Sequence, residues 1–284
     1  MRGACAVSTS ELRSTAAQST VPVAEKTRRR GPNRDAVVAA VKAVAGIVGI
    51  FAVWQIAVAI FDPPEFLLVG PFSAFAELAE RPEYFLSNTF VTLQEALAGF
   101  ALGTALGVLC GAALHYSSTV RSFLYPALIA IDTIPKVALA PLFIVWFGFG
   151  FESKAFVAMA IAFFPLVINT YDGLSSVPHE LQELARINKA SQWKKMTKIE
   201  FIHALPAVLS GAKISISLAV GGAVVGEFIA GSKGLGYVIL LANSQVDLAS
   251  MFAAFIILAV IALALFFLVD QAGRRLVPWK NHSS

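Results

Sequence analysis

The chain has 284 residues, 57% of them hydrophobic and only 14% charged, with a formal net charge of +4. An average soluble domain is about 25% charged, so this composition excludes an ordinary soluble enzyme and points to an all-α polytopic membrane protein. The basic surplus reads as cytoplasmic loops rather than as a nucleic-acid surface, because lysine and arginine set orientation in a membrane.

The first 35 residues are polar and end in a basic cluster of Lys26, Arg28, Arg29, Arg30 and Arg34. No apolar core precedes a small-residue cleavage site there, so the segment reads as a disordered cytoplasmic tail rather than a cleaved signal. A helix crossing the roughly 30 Å hydrocarbon layer needs about 20 apolar residues. Six runs qualify: 36–61, 90–114, 123–147, 155–171, 207–230 and 251–269. Between the first two, residues 71–84 place Phe72, Phe75, Ala76 and Ala79 at helical spacing, as expected of a short amphipathic surface helix. Residues 276–284 read as a second cytoplasmic tail.

Alternate threading with the N-terminus inside puts the basic tail, Arg121, the stretch 178–206, Arg274, Arg275 and Lys280 on the cytoplasmic side. Only Arg81, Lys154 and Lys233 fall outside, and that asymmetry sets the expected orientation, with both termini in the cytoplasm. Cys5 and Cys110 make no disulfide framework. The scattered His115, His179, His203 and His282 give no metal spacing. No G-x-x-x-x-G-K-[ST] is present to cradle a nucleotide phosphate, so no catalytic residue is assigned.

Polar and small residues inside the spans carry further expectations. Gly99, Gly103, Gly107 and Gly111 share one face of the second span, where a backbone can approach closely. That face serves either fixed packing or sliding against a neighbour. Asp132 and Lys136, four residues apart in the third span, share a helix face and can pair. Pro135 and Pro141 should bend that helix. The pair reads equally as part of a translocation pathway or as a self-satisfied bond. Lys213 is expected to snorkel to the cytoplasmic interface. Glu227, near the outer end of the fifth span, is a candidate for the pathway, for binding-protein contact or for holding an outer loop. Asn169 and Asp172 are expected to anchor the loop that follows the fourth span.

That loop, residues 178–206, is a polar insert in a greasy chain. Pro178 suits a first helical turn, and Glu180 and Glu183 favour the positive end of the helix dipole. Leu181, Leu184 and Ala185 form a small apolar face. Asn188 is expected to turn the chain through a left-handed conformation. Ser191 can cap a second short helix carrying Trp193, Met196 and Ile199 among lysines, ending at Leu205-Pro206.

The insert resembles the cytoplasmic coupling loop of bacterial ATP-binding-cassette importer permeases, whose signature is E-A-A, three residues, G, and a spacer ending near L-P. Glu183 and Ala185 match its first and third letters, Leu184 replaces the middle alanine, and Lys189 stands where glycine is usual, next to Ala190. Leu205, Pro206 and Gly211 match the end. Residues 134–142 (IPKVALAPL) with Trp146-Phe147-Gly148 are similar to the third-span signature of the nitrate/sulfonate/taurine-type permeases. Phe163-Phe164-Pro165 with Asn169-Thr170, then Gly226-Glu227 and Gly234-Leu235-Gly236-Tyr237, resemble later parts of that family.

The resemblance covers about residues 71–275 and implies the six-span type I importer permease fold in a bacterial inner membrane. It implies a permease homodimer, a cytoplasmic ATPase dimer that holds ATP and Mg, and an external solute-binding protein. No cofactor is implied on this chain. Coupling to the ATPase would fall on Glu180, Glu183, Leu184, Ala185, Asn188, Lys189, Ala190, Ser191, Trp193, Leu205 and Pro206. Translocation would fall on Asp132, Pro135, Lys136 and Glu227. A stand-alone secondary transporter or channel, expected to show inverted repeats, and a scaffold recruiting a cytoplasmic partner are the alternative classes.

Overall fold

The computed structural model describes residues 32–64 and 66–278. The expected tail therefore lies outside them up to residue 31, as do residues 279–284. Among the described residues the regular structure is helical throughout. The chain divides into two units, Met1–Phe51 and Ala52–Ser284. Helix α1, Pro32–Phe61, begins four residues before the expected first span, and its apolar part, Ala45–Phe61, is shorter than a full crossing.

The expected surface helix is split at Arg81. Helix α2 covers Pro71–Glu80, and α3 starts at Pro82 and runs to Tyr116. A proline opens each, where the missing N–H has no partner to lose. The second span is thus the far end of a helix that starts eight residues earlier than apolar content alone suggested. The other long apolar helices are α6, Phe151–Ser175, α9, Phe201–Ala230, and α11, Leu248–Leu276.

The expected third span is not one helix. Helix α4, Ser118–Thr133, gives way at Ile134-Pro135 to a 3-10 turn at Lys136–Leu139 and then to α5, Ala140–Phe147, with a bend of 93°. Proline pushes the residue before it out of the helical region, and Ile134 is extended at φ −71°, ψ 128°. Four described helices are long and apolar enough to cross a membrane, and the bent pair makes a fifth. A further helix, α10 at Leu235–Gln245, was not expected and lies just before α11.

Glycine sets how the long helices pack. A Cβ at Gly99 would lie 2.4 Å from Ala158 Cβ, at Gly107 2.7 Å from Leu166 Cβ, and at Gly111 2.7 Å from Thr170 Cβ. Rising numbers on α3 meet rising numbers on α6, so the two helices run parallel. Gly211 meets Asn169 and Gly222 meets Ala158 at 2.8 and 2.7 Å, so α9 runs antiparallel to α6. Helices in lipid gain little from hydrophobicity and associate through such close van der Waals contact. The parallel pair also requires the chain to return between α3 and α6, which the broken α4–α5 segment does. Around this centre Ala96, Ala158, Ile216, Val220, Ala223 and Leu265 form a core shared by α3, α6, α9 and α11.

Replacing Gly99 by alanine is expected to push α3 off α6 and to lower the melting temperature of the purified protein in detergent, at an overpacking cost of about 1–3 kcal/mol. Gly221→Ala, where nothing lies within 4 Å, is the control and should melt like the parent. Equal melting of all three would contradict the packing described.

Candidate functional site

At the end of the bundle where α3 and α6 finish, the polar insert forms a helical hairpin. Pro178 precedes α7, His179–Ile187, with Glu180 in its first turn and Arg186 in its last, both matched to the helix dipole. The turn differs from expectation. Asn188 keeps φ at −78°, its side-chain amide donating to Leu184 O at 2.8 Å, and Lys189 takes the left-handed φ of 47°. A lysine thus stands in a left-handed conformation that favours glycine, at some strain. Ser191 Oγ accepts from Lys194 N at 3.4 Å and caps α8, Gln192–Lys195.

The second arm does not stop at Leu205-Pro206. From α8 the helix continues through a π turn, Met196–Glu200, into α9, making one 39-residue helix from Gln192 to Ala230. Leu205 and Pro206 lie inside it, away from the hairpin tip.

The hairpin displays apolar side chains to the outside. Leu184 is 54% exposed, Trp193 70% and Ile187 77%, while Ala185 is buried beneath them. Glu180, Glu183, Asn188, Lys189 and Ser191 surround them, also exposed. A cleft of about 450 Å³ opens between the arms, lined by Glu183, Ala185, Arg186, Ala190 and Lys195 among others. The arrangement is a mixed apolar and charged knob at the end of the bundle.

In the bend of the broken span, Asp132 and Lys136 form an ion pair, both partly exposed. The Lys136 ammonium also stands 5.8 Å from the centre of the Phe164 ring on α6. Pro135 makes the bend, so these three residues are brought together. Glu227 is not with them. It lies at the end of the bundle away from the hairpin, level with Lys154 in the first turn of α6, and is fully buried. Its carboxylate accepts from Thr92 Oγ1 at 2.6 Å and from Gly236 N at 2.5 Å. Leu235 N donates to Thr92 and Gly234 N to Asn88, at 2.8 and 2.7 Å. Side chains of α3 and α9 thus receive the free N–H groups at the start of α10, whose positive end favours a carboxylate. These contacts tie Glu227 to the loop and the first turn of α10.

Two lysines also have partners that the sequence did not show. Lys154, counted as an outer-loop charge, is buried in the first turn of α6 and paired with Glu95 of α3 at 2.8 Å. Lys213 does not extend to an interface alone. It pairs with Asp270 of α11, which also binds Arg274 at 2.8 Å. Asn88, Thr92, Glu95 and Asp270 were missed by sequence reasoning. A signal did exist for the acids, since a carboxylate inside an apolar run needs a partner at the same depth. Asn169 donates to Pro165 O, inside its own helix.

Removing Lys154 leaves the buried Glu95 carboxylate unpaired, a change that costs about 3–5 kcal/mol. Lys154→Met should therefore lower thermal stability in detergent sharply. The double variant Lys154→Met with Glu95→Leu should recover most of the loss, and no recovery would contradict the pairing.

Residues 103–282 match the model of the family described as binding-protein-dependent transport system inner membrane component. The chain is 38% identical over 233 residues to the riboflavin transport system permease protein RibX of Chloroflexus aurantiacus, covering 80% of this chain and 85% of that protein. It is 32% identical over 233 residues to the formylaminopyrimidine transport permease protein ThiX of Halalkalibacterium halodurans, covering 82% and 93%. Among solved structures it is similar to a chain of the MetNI methionine ABC transporter in an inward-facing conformation, with a TM-score of 0.63, 17% identity, and 69% and 98% coverage. The bundle, the broken span and the hairpin thus sit in a chain that belongs to this family, as the multi-pass inner-membrane permease component of an ABC importer, a transport protein whose ATPase is a separate subunit.

Proposed function

We propose that two copies of this chain form the pore of the importer, with both termini and the α7–α8 hairpin in the cytoplasm. The hairpin seats in a groove on the ATPase subunit, which alone holds ATP and Mg; this chain binds no cofactor of its own. A solute-binding protein delivers a small polar or anionic solute at the opposite end of the bundle. ATP-driven closure of the ATPase pair displaces the hairpin and switches the pore between outward- and inward-facing states.

The observation that carries this reading is the hairpin surface. Leu184, Ile187 and Trp193 stand exposed on a polar knob, beside Glu183 and a basic second arm. Apolar side chains with a charged rim are the composition of a protein interface. Glu183 is exposed, and its one ion pair among the described residues is with His179, one turn earlier, at 3.4 Å, which leaves most of the carboxylate open to a partner.

Within the pore, we assign the solute path to the bend that holds Asp132, Pro135 and Lys136. Backbone freed from helical bonding is tolerated at membrane depth where it lines a cavity, and an intramembrane ion pair marks such paths. The Lys136–Phe164 approach presents a cation and a ring to one passing molecule.

Two experiments separate these roles. Glu183→Lys, or Ile187→Asp, should release the ATPase, leaving at least ten-fold less of it co-purifying with a folded permease. An unchanged complex would remove the hairpin as the docking element. Lys136→Met should leave the complex assembled and lower uptake several-fold in proteoliposomes assayed with a panel of riboflavin, pyrimidines, sulfonates and nitrate. Normal uptake of every transported compound would remove Lys136 from the path.

A further inference from the structure

Two consecutive residues at the end of α3 hold both stems of the hairpin. On the outgoing stem, Ser175, the last residue of α6, places its Oγ 3.3 Å from His115 Nδ1. On the returning stem, Tyr116 Oη donates to Glu200 Oε2 at 2.5 Å. The other Glu200 oxygen accepts from Lys195 Nζ at 3.0 Å and faces His115 Nε2 at 4.0 Å. Glu200 is only 2% exposed, and Tyr116, Lys195 and His115 are its polar neighbours among the described contacts.

The π turn explains why Lys195 reaches Glu200. Side chains five residues apart on an α-helix point about 140° away from each other, from 3.6 residues per turn. Bonding from residue i to i+5 brings them onto one face, and such turns recur at functional positions. The widened turn at Met196–Glu200 therefore supplies the ammonium that a buried carboxylate requires.

The hairpin has few other ties to the bundle. Ala185 is the one buried residue of α7, and α8 has none. Because α8 runs without interruption into α9, a displacement of α8 reaches Glu200 along a continuous helix. From Tyr116 the chain passes through one residue, Ser117, whose Oγ accepts from Val120 N at 3.2 Å, straight into α4. Helix α4 ends at the bend that carries Asp132 and Lys136.

We propose that this clasp of His115, Tyr116 and Glu200 is the joint through which hairpin displacement enters the bundle and passes along α4 to the broken span. Tyr116 and Glu200 are positioning residues: they touch neither solute nor nucleotide. The proposal rests on the reading of the hairpin as the ATPase-docking element. Breaking the Tyr116–Glu200 bond leaves docking intact and uncouples α4 from it.

The test uses the purified complex of permease and ATPase in lipid nanodiscs. An environment-sensitive fluorophore is placed at Ile131, an exposed position of α4, after Cys5 and Cys110 are replaced. Trapping nucleotide with vanadate should shift the emission in the parent. In Tyr116→Phe the ATPase should still co-purify and still trap nucleotide, while the shift falls at least three-fold. Glu200→Gln, which keeps an oxygen opposite the phenol, should retain more of the shift than Glu200→Leu. A full shift in Tyr116→Phe overturns the proposal, and so does loss of ATPase binding in that variant. Failure of the docking reading would appear separately, as ATPase retained by Ile187→Asp.

Discussion

Everything in this structure depends on the close approach of α3 to α6 through a line of glycines. Gly99, Gly103, Gly107 and Gly111 bring backbone against backbone, where lipid offers no hydrophobic drive for association. The contact runs in parallel, so the intervening chain must cross back, and Pro135 breaks that crossing into two arms. Helix α9 then packs antiparallel on α6 through Gly211 and Gly222. The parallel pair follows from the glycines of α3, the bent return from Pro135, and the antiparallel third helix from the glycines of α9.

The two ends of this bundle are built from different chemistry. At one end Glu95–Lys154 and the Glu227–Thr92–Asn88 set bury their charge and hydrogen bonds completely, fixing the start of α10. Buried polar groups of this kind are worth little as stability, and they hold one geometry because any missing member leaves another unpaired. At the other end the hairpin exposes its apolar side chains, and its stems meet at His115, Tyr116 and Glu200. One end buries its polar groups in internal contacts, and the other displays apolar and charged side chains on the hairpin. That contrast suits a subunit driven from one side, and it separates the chain from a scaffold, for which a bent, charged span has no purpose.

Much of this was legible in the residues. Apolar runs located the long helices, Pro135 announced the bend, and the polar insert stood out by composition and by its resemblance to a coupling loop. Helix ends were less legible, because a helix does not stop where its apolar content stops: α3 starts among polar residues at Pro82, and α9 continues unbroken through Pro206. Side-chain partners were the least legible. Lys154 and Lys213 looked like interface charges until Glu95 and Asp270, 59 and 57 residues distant in the chain, were seen beside them. The left-handed turn fell on Lys189 rather than Asn188, since backbone shape at a turn is imposed by the helices it joins. Helix α10 was missed because it is too short for a span and its N-terminal partners lie on α3 and α9.

The central claim is that the exposed hairpin, and not the α2–α10 end, meets the ATPase. A photoreactive residue at Ile187 and another at Phe72 of α2, both exposed, test it in the intact importer in membranes. The account predicts a crosslink to the ATPase from Ile187 and none from Phe72. Capture of the ATPase from Phe72, or of the solute-binding protein from Ile187, would contradict it.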